Sequence, residues 1–230
     1  MRRAIVVIAL CAVALPVFAH AQTPMRERSG ALKNEIRTAA ESAREQREQR
    51  QDEFKEMMGA QREAVKSNID AKRIDLRQRL QNIRDERKKK LVEKIDAQMD
   101  ALNERWTNHF SQVVDRLETI AGKIEERVAQ AEARGRDVSV AKAAISEAKR
   151  AIAASRTAIA AQAGKTYAIT VSTEDALRVE VGKARKALHD DLATARDTVK
   201  SAREAVHGAA VALAQAAKVE NQQATTTPIQ

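Results

Sequence analysis

Residues 80–128 read LQNIRDERKKKLVEKIDAQMDALNERWTNHFSQVVDRLETIAGKIEERV, and the apolar spacing in this stretch decides the fold class. Leu80, Leu91, Leu102, Val113 and Ile124 recur every eleven positions, and Met58 and Ile69 extend the row upstream. Ile95, Trp106, Leu117 and Val128 form a second row; Met99, Phe110 and Ala121 form a third. Eleven residues make three turns at about 3.67 residues per turn, so the rows predict one face of a single very long helix. No proline lies between Pro24 and Pro228, so nothing of that kind interrupts it. The expected helix runs over about 31–134, ~155 Å if unbroken. Gly59 and Gly122 are its weak points and Gly135 its end. Arg44–Asp52 carries almost no apolar side chain, so that segment is expected to depend on local charge pairs and to fray.

Beyond Gly135 the period becomes seven. Val138, Ile145, Ile152 and Ile159 make one row, with Ala141, Ala148 and Ser155 between them. Asp137 or Ser139 can cap this helix, and Gly164 closes it. Tyr167, Ile169 and Val171 alternate in a connector that reads as extended chain. Ser172-Thr173-Glu174-Asp175 then starts a third helix, with Ser172 and Asp175 as a reciprocal cap. That helix carries Leu192, Val199, Val206 and Leu213 on one heptad row and Leu188, Ala195, Ala202, Ala209 and Ala216 on the other. The fold class is therefore all-α. A very long N-terminal helix with eleven-residue ladders leads into a C-terminal helical hairpin, together a three-helix coiled-coil bundle. The last two helices pack most simply as an antiparallel pair against the region from Trp106 to Ala131, although a connector of this length could extend ~30 Å and reverse the order.

The organisation that follows is a signal peptide at 1–21, a flexible lead at 22–30, a long charged coiled-coil helix at 31–105, an antiparallel bundle at 106–220 and a disordered tail at 221–230. Met1-Arg2-Arg3 precedes an apolar run from Ala4 to Leu15, and Ala19-His20-Ala21 supplies small residues for cleavage near Ala21. The run is too short for a typical membrane span, so the expectation is export to the periplasm or the cell exterior. The single cysteine, Cys11, lies inside that run. Only 2% of residues are aromatic, which fits long helices better than a compact globule with a large core.

The chain carries 41 basic and 32 acidic residues. The excess concentrates in one collar: Lys72, Arg73, Arg77, Arg79, Arg84, Arg87, Lys88, Lys89, Lys90 and Lys94, against four acids over the same span. Such a cluster attracts phosphate or carboxylate polymers and releases their counterions. It lacks the aromatic platforms or modules that specific nucleic-acid recognition requires. The stripe Met58, Ile69, Leu80, Leu91 has no evident partner within the chain, so homo-oligomerisation through the long helix is expected.

Signals for catalysis are weak. Gly164-Lys165-Thr166 imitates the end of a phosphate-binding loop, but Ile159 stands where the first glycine belongs and no strand precedes it. His109, His189 and His207 lack the spacing of a zinc site. Trp106 and Phe110 fall on apolar rows and read as the thickest core layer, with His109 at its rim. No nucleophile has a base and an orienting partner, so the chain reads as a non-enzyme without a cofactor. The leading expectation is a structural, adaptor or scaffold component of the cell envelope, meeting an envelope protein or an anionic polymer. A holdase-type chaperone comes second, and polyanion or membrane-surface binding through 72–94 is the further alternative.

Overall fold

The computed structural model describes residues 25–225; the expected signal peptide with its expected cleavage position, the start of the expected lead and residues 226–230 lie outside them. The described chain is all-α, with helices α1 (Met25–Leu80), α2 (Glu86–Glu132), α3 (Ser139–Ala163) and α4 (Leu177–Thr225). Helix already runs through 25–30, where a flexible lead was expected, and α4 continues to Thr225, five residues into the expected tail.

The main departure is at 81–85. The long helix of the sequence reading is two helices folded back on each other. Short-range bonds from Gln81 N to Gln78 O, Asn82 N to Arg79 O and Ile83 N to Leu80 O end α1 in a tight turn. Asp85 then leaves helical geometry at φ −79 and ψ 105, and its carboxylate accepts from Arg87 N and Lys88 N. Both bonds satisfy amides that a helix start leaves open, and Glu86 adds negative charge at the positive helix end. Gly59 and Gly122, the expected weak points, lie inside unbroken helix.

The α1–α2 hairpin is antiparallel, as its cross-links show: Arg44 with Glu126, Arg50 with Glu118, Arg62 with Asn108, Lys72 with Asp100 and Arg77 with Glu93. The segment expected to fray is thus held by α2, and Arg47 there is buried. Gly122 has a different task from the one expected. A Cβ on it would meet the Arg47 guanidinium at 2.4 Å, so its bare backbone is what lets that side chain cross α2.

The hairpin also supplies the missing partner for the apolar stripe. Met58 and Leu80 are buried in the chain's own core, Ile69 is half-buried, and Leu91 is 56% exposed. On α2 the buried seam positions are Val92, Asp96, Met99, Asn103, Thr107, Phe110, Val114, Leu117, Ala121, Ile124, Val128 and Ala131, with Glu118 and Gly122 buried beside them. The seam positions step by fours and threes in alternation except at Met99, Asn103, Thr107 and Phe110, where four, four and three make one eleven-residue interval in an otherwise heptad seam. The row through Leu91, Leu102 and Val113 runs along its flank, and only Met99, Phe110 and Ala121 of the three rows lie wholly on the seam.

The heptads of α3 and α4 are buried as expected, from Val138 through Ile159 and from Leu188 through Ala209. Their small residues permit close approach: Ser155 Oγ lies 2.8 Å from Thr198 O across the α3–α4 seam. Gly135, at φ +82, ends α2. Arg136 N bonds Ala131 O and Gly135 N bonds Glu132 O, the paired closure that a left-handed residue allows. Neither expected residue is the N-cap of α3, which is Val138; Asp137, one residue earlier, accepts from Ser139 N at 3.0 Å.

The α2, α3 and α4 helices form a three-helix bundle with α3 antiparallel to both neighbours, and α1 lies along the α2–α3 side without touching α4. The connector after α3 is extended, with Tyr167, Ile169 and Val171 buried and Ala168 and Thr170 exposed. It runs beside the hairpin toward the 81–85 turn: Lys72 Nζ reaches Tyr167 O at 3.3 Å, and Arg84 N donates to Glu174. The connector therefore takes the place of α3 in that half of the bundle, while α4 returns antiparallel to α3. Thr173, rather than Ser172, caps the turn into α4 by accepting from Ala176 N. Residue 105 marks no boundary, because one buried cluster runs from Phe54 to Ala212 through Val92, Met99 and Phe110.

Candidate functional site

The basic collar divides into two kinds of cation. Lys72 is almost wholly buried and sits 3.1 Å from both Asp96 and Asp100 of α2. Arg73 doubles these pairs, at 3.6 Å from Asp96 and 3.1 Å from Asp100. Arg77 pairs with Glu93, Arg79 with Asp75, Lys88 with Glu174 and Lys89 with Glu86. These six hold the fold or neutralise a neighbour.

The remaining four behave differently. Arg84, Arg87, Lys90 and Lys94 are exposed, and their side chains enter no ion pair among the described residues. Arg87, Lys90 and Lys94 follow helical spacing with exposed Leu91, so they share one face of α2 beside the turn. The start of α4 reaches the same pole. Glu174, just before it, accepts from Arg84 N at 3.2 Å and Lys88 Nζ at 2.6 Å. The Lys88 bond holds the Glu174 carboxyl below its ordinary range, and the same bond raises Lys88. The pole is thus a turn, tied to the start of α4 through Glu174, that carries four free cations.

A second feature lies between α2 and α4. Ile95, Met99, Leu102, Trp106 and Phe110 from α2 face Leu188, Leu192 and Ala193 from α4 across a groove of about 430 Å³. Trp106, expected in the core, is 39% exposed here, whereas Phe110 is buried behind it with ring centroids 5.4 Å apart. The indole falls on an apolar row that runs beside the seam; the buried position one step on is Thr107. His109 is exposed, as expected. Arg185, His189 and Arg196 stand along the α4 side of the groove, and no acid lines it.

Two polar networks escaped the sequence reading. Arg156 pairs with Asp115 and Glu118, Glu118 also pairs with Arg50, and the Arg156 guanidinium lies 4.7 Å from the Phe54 ring centroid. This ties α1, α2 and α3 together. At the end of α3, Asn103 Nδ2 donates to Gln162 O and Lys165 O, while Gln162 Nε2 donates to Asn103 Oδ1 and to the Tyr167 hydroxyl. Tyr167 donates in turn to Asp191 at 2.8 Å. Burial pushes the Tyr167 hydroxyl up. Asp191 is raised by burial but lowered more by Lys165 and Tyr167 together. The signal for the second network is polar residues at buried positions, Asn103 and Gln162, which apolar periodicity passes over; the first lies beside the seams and depends on how α1 folds back.

Lys165 pairs with Asp191, and Gly164 caps a helix C-terminus rather than opening a helix. That is not the geometry of a phosphate loop, whose anion sits at a helix start. Among the described residues no group of three or more His, Cys, Asp or Glu side chains could hold a metal ion, and no helix is long and apolar enough to cross a membrane. Comparison with family models, with curated proteins and with solved structures finds no match.

The cross-helix pairs imply an acid-sensitive fold. Arg44, through its hydrogen bonds, holds Glu126 below its ordinary value, with Arg47 adding to the effect. Glu174 is lowered by Lys88 and Asp137 by the Ser139 amide. A carboxylate lowered on folding contributes stability above its unfolded value and loses it as pH falls through the folded one. Asp115, raised mainly by burial, acts in the opposite sense. The expected net result is a falling thermal midpoint between about pH 5 and about pH 3. Circular dichroism melts check it, and Glu126→Gln should flatten the dependence.

Proposed function

We propose that this protein is a non-catalytic binding component of the cell envelope, whose helical bundle presents a cationic pole to an anionic polymer. The observation that carries this reading is the division of the collar. Six of its cations are committed to carboxylates, and the four at the turn, Arg84, Arg87, Lys90 and Lys94, have none. Free cations grouped at one end of an elongated body concentrate field where a polyanion can reach it. The bundle behind the pole acts as a spacer and adaptor: α1 alone spans ~84 Å at helical rise. Export rests on the sequence pattern of Met1–Ala21.

Titration with long-chain polyphosphate at several salt concentrations tests the binding. Four neutralised phosphates give a log–log slope near −3, so affinity should fall roughly sixtyfold between about 50 and about 200 mM salt. The triple change Arg87→Gln, Lys90→Gln, Lys94→Gln should reduce that slope toward −1 while leaving the fold intact, since none of the three is paired. Binding that ignores salt, or survives the triple change, would refute the reading.

A further inference from the structure

We propose that the α2–α4 groove is a docking site for an acidic amphipathic helix from a partner protein. Its floor is apolar and aromatic, with Met99, Trp106, Phe110 and Leu192 contributed by two rigid helices. From Ile95 to Phe110 the α2 wall spans ~22 Å, about four turns of a docked helix. An exposed indole over a buried phenyl ring is the kind of anchor that helix-in-groove recognition uses.

Charge selects the occupant. Arg185 enters no ion pair among the described residues, and His189 stands one turn further along α4. Arg196 pairs only with adjacent Asp197, and both side chains are 63% exposed. Such a pair is weak enough to be exchanged for a better-placed carboxylate. The chain already shows the converse arrangement on its other side. There α1 brings Arg44, Arg50, Lys72 and Arg73 onto acids of α2. The α2–α4 groove offers cations, so its helix must bring acids. Residues 1–24 contain no Asp or Glu and residues 226–230 carry no charged side chain, so neither segment supplies such a helix. Two copies meeting groove to groove would oppose like charges.

Trp106 is the single tryptophan of the chain, so intrinsic fluorescence reports the groove directly. The probe is a ~18-residue peptide with leucines at helical spacing and glutamates along one flank, long enough to cover the α2 wall. Its control has lysine at every glutamate. The expected result is a saturable blue shift of Trp106 emission, with the glutamate peptide bound roughly fivefold or more tightly than the lysine peptide. The double change Arg185→Glu, Arg196→Glu should reverse that preference while leaving the helical circular dichroism unchanged. No shift with the glutamate peptide, or equal affinity for both peptides, overturns the proposal. So does an equal shift on phosphatidylglycerol vesicles, which would assign the groove to lipid. A dimer of the chain alone with Trp106 shielded from acrylamide overturns it too, by making a second copy the occupant.

Discussion

Lys72→Ala should cost about 3 kcal/mol of unfolding free energy, because it leaves the Asp96 and Asp100 carboxylates with only half of their countercharge at a buried seam. Asp96 is 1% exposed, so its charge is largely desolvated and depends on its cations. Arg73 stays, which holds the loss at the lower end of what breaking a buried pair produces. Urea denaturation followed by circular dichroism measures it. The sign of the second step makes the test specific: adding Asp96→Asn to Lys72→Ala should recover part of the loss, since the stranded charge, rather than lost packing, is the source. A Lys72→Ala variant as stable as wild type would mean that α1 does not lie along α2 in this register.

Leu80→Ala should cost a similar ~3 kcal/mol, the range for emptying a buried leucine site. Leu80 is 2% exposed and lies where α1 turns into 81–85. The prediction separates two architectures. In one continuous rod, Leu80 would stand on an open helix face. Alanine there would be neutral or mildly favourable, because alanine is the better helix former. A large loss therefore reports the hairpin, and a midpoint unchanged in denaturant would report the rod.

Much of this fold is legible in the residues, and the illegible parts share a cause. Helices α3 and α4 follow largely apolar heptads, with Ser155 the polar member of the α3 rows, so their seams, the extended connector and the Gly135 closure are readable. Helix α2 is not, because Asp96, Asn103 and Thr107 occupy seam positions. Skipping them moves attention to Leu91, Leu102 and Trp106 beside the seam and stretches the apparent period from seven to eleven. The turn at 81–85 contains neither glycine nor proline; its only local marks are the Asp85 cap and the acid after it. Once the turn is missed, the stripe through Met58 and Leu80 seems to lack a partner that α2 provides. The basic collar is visible as a cluster, but which of its members are free depends on Asp96, Asp100 and Glu174. Glu174 lies eighty-six residues from its Lys88 partner.

The extended connector has a mechanical consequence. Where α3 is present, α2 and α3 each brace three other helices and α1 and α4 each brace two, through side chains on a rigid backbone. Where residues 165–171 replace it, the third wall is a single strand of chain with no ladder of its own amides, pinned at Tyr167 and Glu174. Local opening requires the fewest broken contacts there. The body is therefore stiff at the end where α2 passes into α3 and compliant at the end that carries the free cations. Contact with a rough or irregular surface would be made by the compliant end, with the stiff end serving as a handle.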